Sequence, residues 1–228
     1  MFIILLLYMP EGPEVWILRK AISQYYNDII VFCHGKHLYL EHDTYVEEYT
    51  FGLTGKVEIN DESDKLTKKQ MGFCYGDYSI ISKEEETFNK LGPSFMEMDH
   101  IDFSKLVNLW RSSRKLLGSL LLDQKIISGI GVAWGSEILH KANLVPDKKA
   151  CEQNLDNLVL SFLEIQDYCK DTYLKYLSQE ILNSTGDNVK SVLKTFINGW
   201  YKNLYKVREM SVYKKGKECK TGGRTWWI

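Results

Sequence analysis

Three places in this 228-residue chain set side chains where they can do chemistry. The first is Pro10-Glu11-Gly12-Pro13-Glu14. Pro13 suits the first turn of a helix, where no amide donor is needed, and Val15, Leu18, Ile22 and Tyr25 then recur at helical spacing. Glu11 and Glu14 therefore fall at the mouth of an amphipathic helix, whose dipole favours carboxylates. On these residues alone the stretch is a helix start with an acidic first turn. The second place is the run Leu120 to Gly131, in which Gly129-Ile130-Gly131 stops one helix and another follows at once. Glycines let backbone approach a phosphate, and a helix start offers amides and a positive dipole end; tight helix packing would use the same glycines. The third is the tail. From Lys190 to Ile228 ten basic residues face only Glu209 and Glu218, so this segment carries +8 and the remainder −9. Trp200, Tyr201, Tyr205, Tyr213, Trp226 and Trp227 interleave with the basic residues. That mixture suits a phosphate backbone, and it also suits a solvated basic face.

The elements that must position these residues are legible in outline. Ile29 to Phe32 and Leu38 to Leu40 read as strands around His34-Gly35-Lys36, Tyr45 to Asn60 as a strand pair broken at Phe51-Gly52-Leu53-Thr54-Gly55, and Met71 to Ser82 as two short strands. Leu91-Gly92-Pro93 punctuates the end of this β-rich part. From Phe103 the period becomes helical. Helices are expected through Leu106 and Trp110, over Leu120 to Ser128, from Val132 to about Ala142, over Leu155 to Leu182 and over Ser191 to Tyr201. Ser211 to Tyr213 and Arg224 to Trp227 read as a closing hairpin.

Composition bounds the rest. Hydrophobic content of 44% and aromatic content of 13% suffice for a core, and a net charge of −1 predicts no polyanion partner by itself. Five scattered cysteines, at 33, 74, 151, 169 and 219, have no metal-ligand or redox spacing, which points to a reducing, intracellular compartment. No zinc pattern surrounds His34, His37 and His42. Phe2 to Leu7 is too short to span a bilayer and lacks signal-peptide features. Two readings remain for residues 1–9: the start is Met9, or the segment adds a strand or plug to the core.

The first stretch resembles the amino terminus of the formamidopyrimidine-DNA glycosylase and endonuclease VIII (Fpg/Nei) family, whose mature members begin Pro-Glu-Gly-Pro-Glu or Pro-Glu-Leu-Pro-Glu. A free prolyl nitrogen is a secondary amine that can attack a sugar carbon and form an iminium, whereas a proline inside a chain is a tertiary amide. Leu121-Leu122-Asp123-Gln124, Gly129-Ile130-Gly131, Trp134 and Glu137-Ile138-Leu139 resemble the family's helix-two-turn-helix motif, except that its phosphate-binding asparagine is Val132 here. Gly35-Lys36 resembles the turn whose lysine contacts phosphate near the lesion. Phe51 to Gly55 resembles the turn whose apolar side chain, here Leu53, wedges into the gap left by an everted base. Val212 to Cys219 and Gly223 to Trp227 resemble the two halves of the family's zinc finger. Only Cys219 of four ligands is present, so the finger is similar to the zincless hairpin of some Nei-like members.

The resemblance implies an α+β fold: a β-sandwich-like N-terminal domain with one helix over 10–95, a helical helix-two-turn-helix domain over 96–203, and a zincless-finger hairpin over 204–228, after an extension at 1–9. It implies a DNA glycosylase that removes oxidised bases, with lyase activity through a Pro10 Schiff base. Pro10 would be the nucleophile, Glu11 would handle protons at the sugar, and Lys36 and Arg224 would neutralise flanking phosphates. Glu14 and Leu53 would hold and replace the everted nucleotide, and Gly129 and Gly131 would line the phosphate-binding turn, while Glu137 would order the motif. The partner would be double-stranded DNA carrying damaged bases or abasic sites, bound by a monomer with no metal, no cofactor and no membrane. Two other readings stay open: a catalytically silent DNA-binding protein of the same fold, and an RNA-binding helix-two-turn-helix module.

Overall fold

The structure, a computed structural model, describes residues 10–26, 28–51, 55–60, 63, 65–70, 78–82, 91–183 and 188–228. Leu53, residues 1–9 and residues 71–77 lie outside the described residues. The helices are α1 (Gly12–Tyr25), α2 (His100–Trp110), α3 (Leu117–Leu122), α4 (Val132–Lys141), α5 (Leu158–Asn183) and α6 (Val189–Val207). The strands are β1 (Ile30–His34), β2 (His37–Glu41), β3 (Tyr45–Thr50), β4 (Gly55–Ile59), β5 (Leu66–Gln70), β6 (Tyr78–Ser82), β7 (Glu218–Thr221) and β8 (Arg224–Trp227). They fold as two compact units: of the described residues, one comprises Pro10, those between 14 and 82, and those between 173 and 207, the other Glu11–Pro13, those between 91 and 172, and Arg208–Ile228.

In the first unit, α1 buries the face its spacing predicts. Val15, Leu18 and Ile22 are fully covered, and Trp16, Ile17 and Ala21 are buried too. A four-stranded antiparallel sheet runs in the order β1-β2-β3-β6, and β4 pairs with β5 in a second, two-stranded sheet. The sequence reading of 45–60 as a pair therefore changes: β3 and β4 belong to different sheets. The partner of β4 was missed because Leu66-Thr67-Lys68-Lys69-Gln70 has one apolar residue and no alternation. Asn198 of α6 joins β4 by donating to the Ile59 carbonyl and accepting from its amide, at 3.4 and 2.7 Å.

In the second unit, Phe103 of α2 stacks on Phe162 of α5 at 4.8 Å, and Trp110 meets the same ring edge-on. Asp99 and Asp102 form a capping box at the start of α2. Helix α3 ends at Leu122 rather than Ser128, because Asp123 leaves helical geometry at ψ 96°. Ser211–Tyr213 is not a strand. The hairpin partner of β8 is β7, and the pair is extended by reciprocal backbone bonds between Lys217 and Ile228, both 3.0 Å.

Candidate functional site

The second unit is built around the carboxylate of Glu11. Its Oε2 accepts from the Gly131 and Trp134 amides at 3.0 and 3.1 Å, and its Oε1 accepts from the Ala133 amide at 3.0 Å. Glu11 is 1% exposed. These donors are the orphan amides at the start of α4, and the carboxylate sits at the positive end of that helix dipole. The helix mouth that the sequence offers to a phosphate is thus filled by the chain's own anion. Both glycines serve this approach. Gly129 adopts φ +96°, and its carbonyl accepts from the Gly12 amide at 2.7 Å. A Cβ on Gly131 would collide with the Glu11 carboxylate, and one on Gly12 would lie 2.9 Å from the Gly129 Cα.

Gln124 closes the turn from the other side. Its Oε1 accepts from the Gly129 amide at 2.9 Å, and its Nε2 donates to the Ile130 and Leu122 carbonyls at 3.0 and 3.2 Å. Val132, where the resemblance expects asparagine, is the first residue of α4 and is buried.

Glu137, one turn further along α4, is expected to order the helix-two-turn-helix motif, and its carboxylate is engaged by a segment outside that motif. Its Oε1 accepts from the Val212 and Tyr213 amides and its Oε2 from the Ser211 amide, each at 2.8 Å. This carboxylate pins the chain that leads into the β7–β8 hairpin. A second anchor is Trp226, 1% exposed. Cβ atoms added at Gly118 and Gly135 would stand 2.8 and 2.9 Å from its ring, so the indole occupies a notch that only glycines leave open. The Ser136 hydroxyl accepts from the Trp227 amide at 3.1 Å as a third tie.

At the hairpin tip, Gly222 and Gly223 adopt φ +57° and +70°, the backbone a two-residue turn with twist-matched strands requires. Arg224 follows them, paired with Thr221 and exposed. It borders a cavity of about 330 Å³ with Ser119 and Asp123. Burial and the neighbouring Arg208 guanidinium push the Lys214 ammonium below its usual pKa. Burial and a hydrogen bond with Asp147 push the Cys219 thiol up. Among the described residues, no three His, Cys, Asp or Glu side chains gather as a metal site would.

In the first unit, Gly35 at φ +60° and Lys36 form the two-residue turn between β1 and β2, leaving Lys36 half-buried at its tip. Pro10 is buried. Glu14 is 1% exposed and accepts from the Tyr173 hydroxyl at 2.8 Å. His37 bonds Glu48 at 2.9 Å and His42 lies 3.1 Å from Glu47, so each faces its own carboxylate. Sequence reasoning missed Tyr173, which looks like any other residue of a long helix, and Gly118 and Gly135, whose use depends on a tryptophan far along the chain.

Two helices joined by a glycine turn, with the glutamate that precedes the chain's first helix seated in that turn and a hairpin fastened to the second helix, define a helix-two-turn-helix architecture of the Fpg type. No family model matches the chain. A formamidopyrimidine-DNA glycosylase of Mycoplasma genitalium is 29% identical over 219 residues, covering 88% of this chain and 72% of that protein. One from Rickettsia massiliae is 28% identical over 153 residues, 66% of this chain and 49% of that protein. The chain thus spans about half the length of the rickettsial relatives it matches. Among solved structures, Thermus thermophilus MutM (Fpg) superposes with a TM-score of 0.66 at 15% identity, over 96% of this chain and 97% of that one. Lactococcus lactis Fpg in complex with DNA containing N7-benzyl-Fapy-dG superposes at 0.64 with 17% identity and the same coverage. Sequence relatives and fold agree in what the chain is similar to, the formamidopyrimidine-DNA glycosylases.

Proposed function

We propose that the protein is a DNA glycosylase that excises oxidised bases and then nicks the strand. The observation that carries this reading is the triple amide grip on Glu11, which fixes the residue after Pro10 at the glycine turn of the helix-two-turn-helix motif. The relatives are named formamidopyrimidine-DNA glycosylases, and the structural neighbours were solved with lesion-containing DNA. As a free amine, Pro10 attacks C1′ of the damaged nucleoside. The N–C1′ bond forms, the glycosidic bond breaks, and the base leaves. Transfer of the amine proton to the ring oxygen O4′ as the sugar opens gives the iminium; loss of a C2′ proton then forms the C2′=C3′ bond as the C3′–O bond breaks, releasing the phosphate and cutting the strand. Glu11, held as a carboxylate by charge-assisted bonds, stabilises the cationic sugar and handles its protons. Flipping the base from the stack precedes all of this and is cheaper for a damaged base. Leu53 fills the gap, and Lys36 and Arg224 grip the flanking phosphates, in a compartment reducing enough to keep the scattered thiols free.

The chemistry requires the Pro10 nitrogen to be unacylated, so the active form begins at Pro10, after removal of Met9. The second reading, a silent DNA-binding protein, rests on the peptide bond between Met9 and Pro10 in the chain as written. The deciding assay incubates the form beginning at Pro10 with duplexes carrying an oxidised pyrimidine or an oxidised purine. Release of either base with strand scission is expected. Binding to both without release would replace this reading by the silent one.

A further inference from the structure

We propose that Tyr173 is a positioning residue of the lesion site, holding the Glu14 carboxylate for the everted damaged nucleotide. The inference rests on the glycosylase reading and deepens it. Glu14 stands in the helical turn that follows Pro10, is 1% exposed, and accepts a 2.8 Å hydrogen bond from the Tyr173 hydroxyl, itself completely buried on α5. The two residues are 159 positions apart and belong to the same unit. A buried carboxylate is costly unless donors satisfy it. An apolar residue would serve the packing of α1 better, as Val15, Ile17 and Leu18 around it do. A retained charge one turn from the reacting amine is explained by use, and its value to a ligand depends on its oxygens pointing one way. The phenol supplies that constraint: it is rigid, it ends in a donor, and a bond to a charged acceptor is stronger than a neutral one. Tyr173→Phe keeps the ring in place and removes only the donor.

The test measures equilibrium binding of the full chain, whose acylated Pro10 leaves substrates uncleaved, to three duplexes: one with an oxidised base, one with a stable abasic-site analogue, and one undamaged. Wild type is expected to prefer the oxidised-base duplex over the undamaged one. Tyr173→Phe should weaken binding to the oxidised-base duplex by about tenfold or more, and leave binding to the abasic analogue, which has no base to hold, unchanged. Glu14→Gln should reproduce that selective loss, and adding Tyr173→Phe to it should cost nothing further. Equal weakening on both lesion duplexes would reduce Tyr173 to a structural role, and no change on either would remove it from the site. Additive losses in the double variant would show that it does not act through Glu14. A wild type that does not distinguish damaged from undamaged DNA would overturn the glycosylase reading itself, a failure visible before any variant is made.

Discussion

Glu11 shows how one side chain ties the residues just before α1 to the glycine turn ahead of α4. Both of its oxygens accept amide bonds from α4, so a glutamine there cannot find a harmless orientation: either flip turns its NH2 against an amide N–H. Glu11→Gln should therefore destabilise the protein by about 1–3 kcal/mol, read as a lower urea midpoint at unchanged m-value. An unaltered midpoint would show that the grip is not made in solution. Glu137 obeys the same geometry, since its two oxygens share three amides. The sequence made Glu11 legible as a carboxylate at a helix mouth, but local periodicity assigns it to its own helix. The helix it caps is entered at Gly131, 120 residues later. Pairings at that range depend on tertiary packing, and only the resemblance hinted that the Pro-Glu start and the Gly-Ile-Gly turn belong together.

At the scale of elements, the β7–β8 hairpin is fastened by packing and hydrogen bonds. Trp226→Ala should cost about 3–5 kcal/mol. Gly135→Ala, which pushes a methyl group into the indole, should cost about 1–3 kcal/mol. Thermal melts of the two variants measure both, and a Gly135→Ala protein as stable as wild type would mean that Trp226 sits elsewhere. Chelation should leave the melting temperature unchanged. Cys219 is the single ligand-type residue matching the finger, and burial and Asp147 favour its protonated thiol, a poor metal ligand. Stoichiometric zinc in the purified protein would contradict this. The last strand was legible from Arg224-Thr225-Trp226-Trp227, but its partner was misplaced. Ser211-Val212-Tyr213 has strand-like composition, yet Glu137 draws its amides away from any ladder. The glycines at 118 and 135 carry no local signal, because the ring they admit arrives from the far end of the chain.

At the scale of the whole molecule, the net charge is −1, yet ten of the 29 Lys and Arg residues fall between Lys190 and Ile228 against two glutamates, and the proposed grip on DNA draws on that local excess. Lys36→Ala and Arg224→Ala should each weaken binding to any lesion duplex and lower the slope of log affinity against log salt by about one. A slope that does not change removes that residue from the phosphate contacts. The α+β class, the helix-two-turn-helix run and the terminal hairpin could all be read from motifs in family order. The division of the sheet strands could not, since β5 lacks an apolar pattern. The central claim is that Pro10 is an amine nucleophile, and borohydride trapping on abasic-site DNA tests it most directly. A form beginning at Pro10 should yield a covalent protein–DNA complex mapping to its first residue, and the form beginning at Met1 should yield none. Equal trapping of the two forms, with the longer one intact by mass, would show that Pro10 is not the nucleophile.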